Sequence, residues 1–234
     1  MDKIVSWFTS VYESFYNSVI FENRYEMILD GLQNTIILSF GALIIGILIG
    51  FLISIIRYTN KHTGKFNFLN SICKFYVSII RGTPSVLQLM IMYYIVFKTS
   101  DISSIIVGMI AFGINSGAYC AEILRSGFDS VDDGQLEAGL ALGLTFNQTL
   151  RTIIVPQAIK VSLPSLGNEF ITLVKETAIA GYIGIMDLTK ASDIIASRTY
   201  DYFFPLILIA IIYLIITGLL SKLMKALERK LDKV

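Results

Sequence analysis

The sequence predicts an all-α integral membrane protein with five transmembrane helices, its N-terminus outside and its C-terminus inside, and three observations carry that expectation. Of the 234 residues, 54% are apolar and only 16% charged, against a globular norm of about 25% charged, and the mean hydropathy is +0.68. Three runs, Leu32 to Ile56, Ile102 to Ala121 and Tyr202 to Ser221, hold no Asp, Glu, Lys or Arg, and each reaches the roughly 20 residues needed to cross the hydrocarbon core. The basic residues fall unevenly on the segments between the spans, and that bias orients a membrane protein. A soluble domain cannot bury such runs, and a disordered chain has the opposite balance. The net charge of +1 gives no global basic field, which argues against nucleic acid as a main partner.

Taken in order, residues 1–24 come first. Ile4, Trp7, Phe8, Val11, Phe15 and Val19 recur at helical spacing among polar residues, the pattern of an amphipathic helix lying on a membrane. Asp2, Glu13 and Asn17 interrupt any signal-peptide core. The apolar region covers 30–222. In its first span Gly41, Gly46 and Gly50 suggest a close helix contact. Gly82 to Phe97 is charge-free but short, and reaches spanning length by continuing from Ile72 to Ile80 through a kink at Pro84. Gln88 is placed to bond a backbone group freed by that proline. The fifth candidate, Val155 to about Met186, carries Pro156, Lys160, Pro164, Glu169, Lys175 and Glu176, so a broken polar helix is expected. Residues 223–234 form a basic tail.

With five spans and the N-terminus outside, the inner segments hold thirteen of the Lys and Arg residues, from Arg57 to Lys233, and the outer ones six: Lys3, Arg24, Lys98, Lys175, Lys190 and Arg198. Cytoplasmic loops carry the excess. The polar segment Leu124 to Arg151 is then cytoplasmic, as is the tail. Within it Asp132-Asp133-Gly134-Gln135 offers an acidic cap for a helix through Leu142, and Gly143 suits the left-handed turn that follows. Thr145 and Gln148 form a second capping signature, giving helix, tight turn, helix over about 125–156. The small residues Ala138, Gly139, Ala141 and Gly143 leave a low-relief surface that another protein could approach, or the segment is an ordinary connecting hairpin.

Glu137-Ala138-Gly139, three residues, Gly143, nine residues, then Ile153-Ile154-Val155-Pro156 resembles the EAA loop of ABC importer permeases in every spacing. Gly139 replaces the second alanine of that pattern and Val155 its leucine, both small or apolar changes. Further segments resemble the polar amino acid branch of the family: Arg81-Gly82-Thr83-Pro84 with Gln88, Ala118 to Arg125, Pro156-Gln157-Ala158, and Leu163 to Phe170. The likeness covers roughly residues 30 to 220. It implies a five-helix permease subunit of an ATP-driven importer in a bacterial cytoplasmic membrane. The implied partners are two ATP-binding subunits, a second permease of the same or a paralogous chain, an extracytoplasmic solute-binding protein and a small polar amino acid, with lipid around the spans. In that family the helix holding Gln135, Glu137, Ala138, Gly139 and the Gly143 turn docks on the ATP-binding subunit. An opine or osmolyte is the alternative substrate class. The chain has no GxxxxGK[ST], the backbone cradle and lysine that bind phosphates. It is therefore expected to be no enzyme and to hold no cofactor of its own, with ATP bound by the partner.

Ionisable groups at membrane depth are costly, by roughly 2.5 to 3.5 kcal/mol on insertion scales, so each asks for a role. Glu169, Thr172 and Glu176 share a helix face with Asn168 and Lys175 on its flank. This face either lines the translocation path, with Glu169 meeting a substrate ammonium group, or makes an internal Glu169–Lys175 pair. Asn115 and Tyr119 on the third span either contact substrate or bond between helices. Glu122 and Arg125 form the simplest pair at the inner surface. Cys73 and Cys120 have neither metal nor redox spacing. The single histidine, His62, lies in a polar stretch, which disfavours an embedded hydrolase. A secondary transporter or channel would ordinarily show internal repeats and its own ion site.

Overall fold

The computed structural model describes residues 2–231, and among these every regular element is helical. Helix α1 (Asp2–Phe15) passes through a π-helical turn (Tyr16–Ile20) and a 3-10 turn (Phe21–Asn23). Glu22 and Asn23 are both left-handed, at φ 53° and 55°, and turn the chain into α2. Trp7, Tyr12 and Tyr16 are exposed, as rings are at a membrane–water boundary. The side chains of Ile4 and Phe8, and the whole of Lys233, lie outside the described residues.

Helix α2 (Arg24–Thr63) has 40 residues and is about 60 Å long, twice the hydrocarbon thickness, so the charge-free run is only its middle. It packs along α5 (Ser104–Asp129). The glycines predicted to permit close approach do so: a Cβ on Gly50 would lie 2.6 Å from the Cys120 Cβ, and one on Gly46 would lie 2.9 Å from the Ser116 hydroxyl. Van der Waals contact at this range is the main attraction between helices where lipid removes the hydrophobic drive.

Two expectations are corrected. The segment through Pro84 is not a kinked continuous helix. Helices α3 (Asn67–Gly82) and α4 (Ser85–Ile91), the latter prolonged by a π-helical turn (Met92–Val96), meet at 109°. Thr83 is extended at φ −124° and ψ 149°, the conformation that a following proline imposes. Gln88 works there as expected, its Nε2 donating to the Ile80 carbonyl at 2.8 Å and to the Thr83 hydroxyl at 2.6 Å. The second correction concerns α8 (Val155–Glu176), which runs unbroken through Pro164 and tightens into a 3-10 segment (Thr177–Ile183). A π-helical turn (Leu150–Ile154) precedes it without a break, and Pro156 sits just past that turn. At Pro164 one helix bond is lost, and packing of Ala158, Ser162 and Leu166 on the rest of the molecule holds the helix.

Helices α6 (Asp133–Ala141) and α7 (Phe146–Thr149) form the hairpin between α5 and α8, while α9 (Leu188–Thr199) and α10 (Phe203–Leu231) complete the chain. By length and composition the α2, α5 and α10 regions can each cross a bilayer, and the α3–α4 pair adds a fourth if counted as one span. The core has a centre around Leu38, Ala111, Phe112, Leu173 and Ile183. A separate cluster of Tyr58, Phe128, Leu136, Leu150 and Ile154 lies beneath the hairpin.

Candidate transport site and coupling hairpin

Helix α8 presents two faces. Glu169 turns inward and is 9% exposed, accepting a hydrogen bond from the Ser116 hydroxyl of α5 at 2.7 Å. Among the described residues no ion pair joins it to Lys175, which is exposed on a different face. The internal pair left open by the sequence is therefore absent here. Val161, Ser165 and Asn168 are exposed along one stripe, with Thr172 half-buried at its end and Lys175 beyond; their spacing of three to four residues keeps them on one side of the helix. Asn168 is thus beside Glu169 in sequence but on the open surface.

On α5, the Asn115 side chain is buried and its Nδ2 donates to the Gln88 Oε1 at 2.9 Å. Asn115 thereby braces the Pro84 corner, an interhelical bond of the ordinary membrane kind. Tyr119 is half-buried, and the Arg81 guanidinium stands over its ring at 5.4 Å, within cation–π range. Sequence reasoning did not single out Arg81 or Ser165 as site residues, yet both line a cavity of about 410 Å³ with Glu122, Ser126 and Val161. The signal available was the i, i+4, i+7 repeat of exposed positions in α8. Glu122 and Arg125 pair as expected, at 3.0 Å, and Arg57 of α2 joins them.

The hairpin is built by local chemistry. Asp132 caps α6 by accepting from the Gly134 N–H at 2.7 Å, and Gly143 takes φ +84°, a conformation that costs a residue with a side chain about 1–2 kcal/mol. Thr145 and Gln148 close a full capping box: the Thr145 N–H donates to Gln148 Oε1 at 2.8 Å, and the Gln148 N–H to Thr145 Oγ1 at 3.4 Å. Leu136 and Gly139 face inward, whereas Gln135, Glu137, Ala138 and Leu142 are exposed, Leu142 by 81%. Gly139 touches Thr149, where a Cβ would lie 2.7 Å from the hydroxyl. Of the residues singled out for coupling, Gly139 therefore shapes the hairpin from inside and the others border its outer surface. His62 at the end of α2 stacks on Tyr58 at 4.3 Å and lies 4.0 Å from Asp133. The hairpin thus packs on the ends of α2 and α5.

The family model of the binding-protein-dependent transport system inner membrane component matches residues 42–233. A putative glutamine transport system permease protein of Rickettsia felis is 40% identical over 219 residues, covering 93% of this chain and 95% of the relative. An arginine transport system permease protein of Bacillus subtilis is 37% identical over 206 residues, covering 87% and 92%. A solved amino acid ABC transporter with histidines superposes with a TM-score of 0.79 at 42% identity, covering 88% of this chain and 94% of that one. An inward-facing methionine ABC transporter shares the fold, with a TM-score of 0.75 at 20% identity and coverage of 90% and 98%.

Proposed function

The chain belongs to the family of binding-protein-dependent transport system inner membrane components, and from that premise we propose that it is the membrane-spanning permease subunit of an ATP-driven importer of polar amino acids. Relatives named for glutamine and arginine transport, and a solved transporter described with histidines, support that substrate class. Family membership implies ATP-binding subunits and a substrate-binding protein in general. Two ATP-binding subunits and a second permease, identical or paralogous, are our fuller assignment. ATP is bound and hydrolysed by the partner, and this chain carries substrate without a cofactor of its own.

Five spans, formed by α2, the bent α3–α4 pair, α5, α8 and α10, put the N-terminus outside and the tail 223–234 inside; the thirteen-to-six distribution of basic residues supports this. Residues 1–24 lie along the outer surface, and 30–222 form the permease domain. The observation that carries the coupling role is the doubly capped hairpin with its exposed Gln135, Glu137, Ala138 and Leu142. Closure of the ATP-binding subunits pushes this hairpin, and the cluster of Tyr58, Phe128, Leu136 and Leu150 carries the push to α2 and α5. Such rigid-body motion between two packed states is a known class of switch.

The path runs along the exposed stripe of α8, Asn168 and Thr172, and across Tyr119 of α5, with Asn115 and the Ser116-bonded Glu169 immediately behind. Glu169 has no cation opposite it among the described residues, and an uncompensated carboxylate at this depth attracts an ammonium group. Proteoliposomes holding the chain with its ATP-binding and substrate-binding partners test the reading. ATP-dependent accumulation of labelled glutamine, arginine or histidine is expected, and uptake that persists without ATP contradicts it.

A further inference from the structure

A cavity of about 350 Å³ opens between α2, α3 and α5, with Arg57, Lys61, Asn70, Lys74, Arg125 and Asp129 on its walls. Its depth can be read from the chain. The charge-free run of α2 stops at Arg57 and that of α5 stops at Glu122, and these two side chains are ion-paired. Two independent apolar runs therefore end at one level, which marks the boundary between hydrocarbon and headgroups.

The charges around the cavity do not cancel. Glu122 takes Arg57 and Arg125, and Asp129 takes Lys61 at 2.9 Å and Arg125 at 2.7 Å. Four cations thus face Glu122 and Asp129, with Asp133 near enough to act on Tyr58 and Lys61, and Lys74 has no carboxylate within ion-pair reach among the described residues. The carboxylates hold the arginines in place while leaving a net positive cavity, the charge that a phosphate requires.

The wall formed by α3 brings the unpaired lysine. Cys73 and Val77 are buried and Asn70 and Lys74 line the cavity, while Phe68, Ile72 and Phe75 are 77%, 51% and 67% exposed. Phe68, Ile72 and Phe75 recur at i, i+4 and i+7 and so form an outer apolar stripe turned away from the face of α3 that carries Asn70 and Lys74. We propose that this cavity, at headgroup depth where the two apolar runs end, holds the phosphate of an anionic phospholipid of the adjoining leaflet, with Lys74 and Lys61 on the headgroup. Basic pockets between membrane helices recognise lipid headgroups in this way, and the lysine stems lie along apolar surface as their ammonium groups reach it.

The test uses the intact transport complex, stripped of lipid in mild detergent and titrated with phosphatidylglycerol or phosphatidylcholine, with bound lipid counted by native mass spectrometry. Phosphatidylglycerol is expected to bind preferentially. Lys74→Met should weaken that preference roughly fivefold, the factor that one lysine near an anionic surface contributes. Lys74→Glu should abolish it, Lys74→Arg should keep it, and Lys98→Met, at the far end of α4, should not change it. Equal binding of both lipids, an equal loss in Lys98→Met, or displacement of the lipid by excess inorganic phosphate would overturn the proposal.

Discussion

The Ser116 hydroxyl on α5 donates to the Glu169 carboxylate on α8 at 2.7 Å, and Gly46 of α2 approaches the same serine so closely that a Cβ would lie 2.9 Å from its oxygen. Three helices thus converge on one buried carboxylate whose partner is a neutral hydroxyl rather than a cation.

Glu169→Gln keeps the size of the side chain and its bond to Ser116 but removes the charge. The complex is expected to assemble in normal yield while uptake falls at least several-fold. Lys175→Met should have little effect, and the double variant should resemble Glu169→Gln alone. Uptake per assembled complex, compared across the three variants, checks this; recovery in the double variant would restore the Glu169–Lys175 pair.

Gly139→Ala brings this chain closer to the family pattern, yet it should harm the protein. The added methyl meets Thr149 at sub-contact distance, and overpacking of this kind costs about 1–3 kcal/mol. A lower melting temperature of the purified complex and weaker retention of the ATP-binding subunit are expected. Trimming the neighbour in Gly139→Ala/Thr149→Ala should recover much of both, and an unchanged single variant would contradict the packing account.

Orientation can be tested after replacing Cys73 and Cys120 by serine. A cysteine at Gln135 should be shielded from an impermeant thiol reagent in intact cells, and one at Ser197, exposed on α9, should react. The reverse labelling would invert the topology.

The hairpin was legible in the sequence because its determinants are local: Asp132, Gly143, Thr145 and Gln148 each act within a few residues. The apolar spans were legible for the same reason. The partner of Glu169 was not, since Ser116 lies 53 residues away and no periodicity specifies which helices meet. The inward position of Gly139 depends on Thr149 across the turn, and the sequence pattern offered no such contact. At Pro164, local propensity predicted a break that tertiary packing overrode. At Pro84 the sharp corner arose because Thr83 and Pro84 are both extended, whereas the sequence had suggested only a kink.

The most direct measurement of the coupling role is a cross-link from Leu142, the most exposed large apolar side chain of the hairpin at 81%. With Cys73 and Cys120 replaced, a cysteine at Leu142 should join the ATP-binding subunit through a short thiol-reactive linker in the assembled importer, and a cysteine at Tyr200, 94% exposed beyond α9, should not. The cross-linked complex should also lose ATP-dependent amino acid uptake until the linker is cleaved. Absence of any Leu142 product with the ATP-binding subunit, in a complex that still transports, would contradict the account.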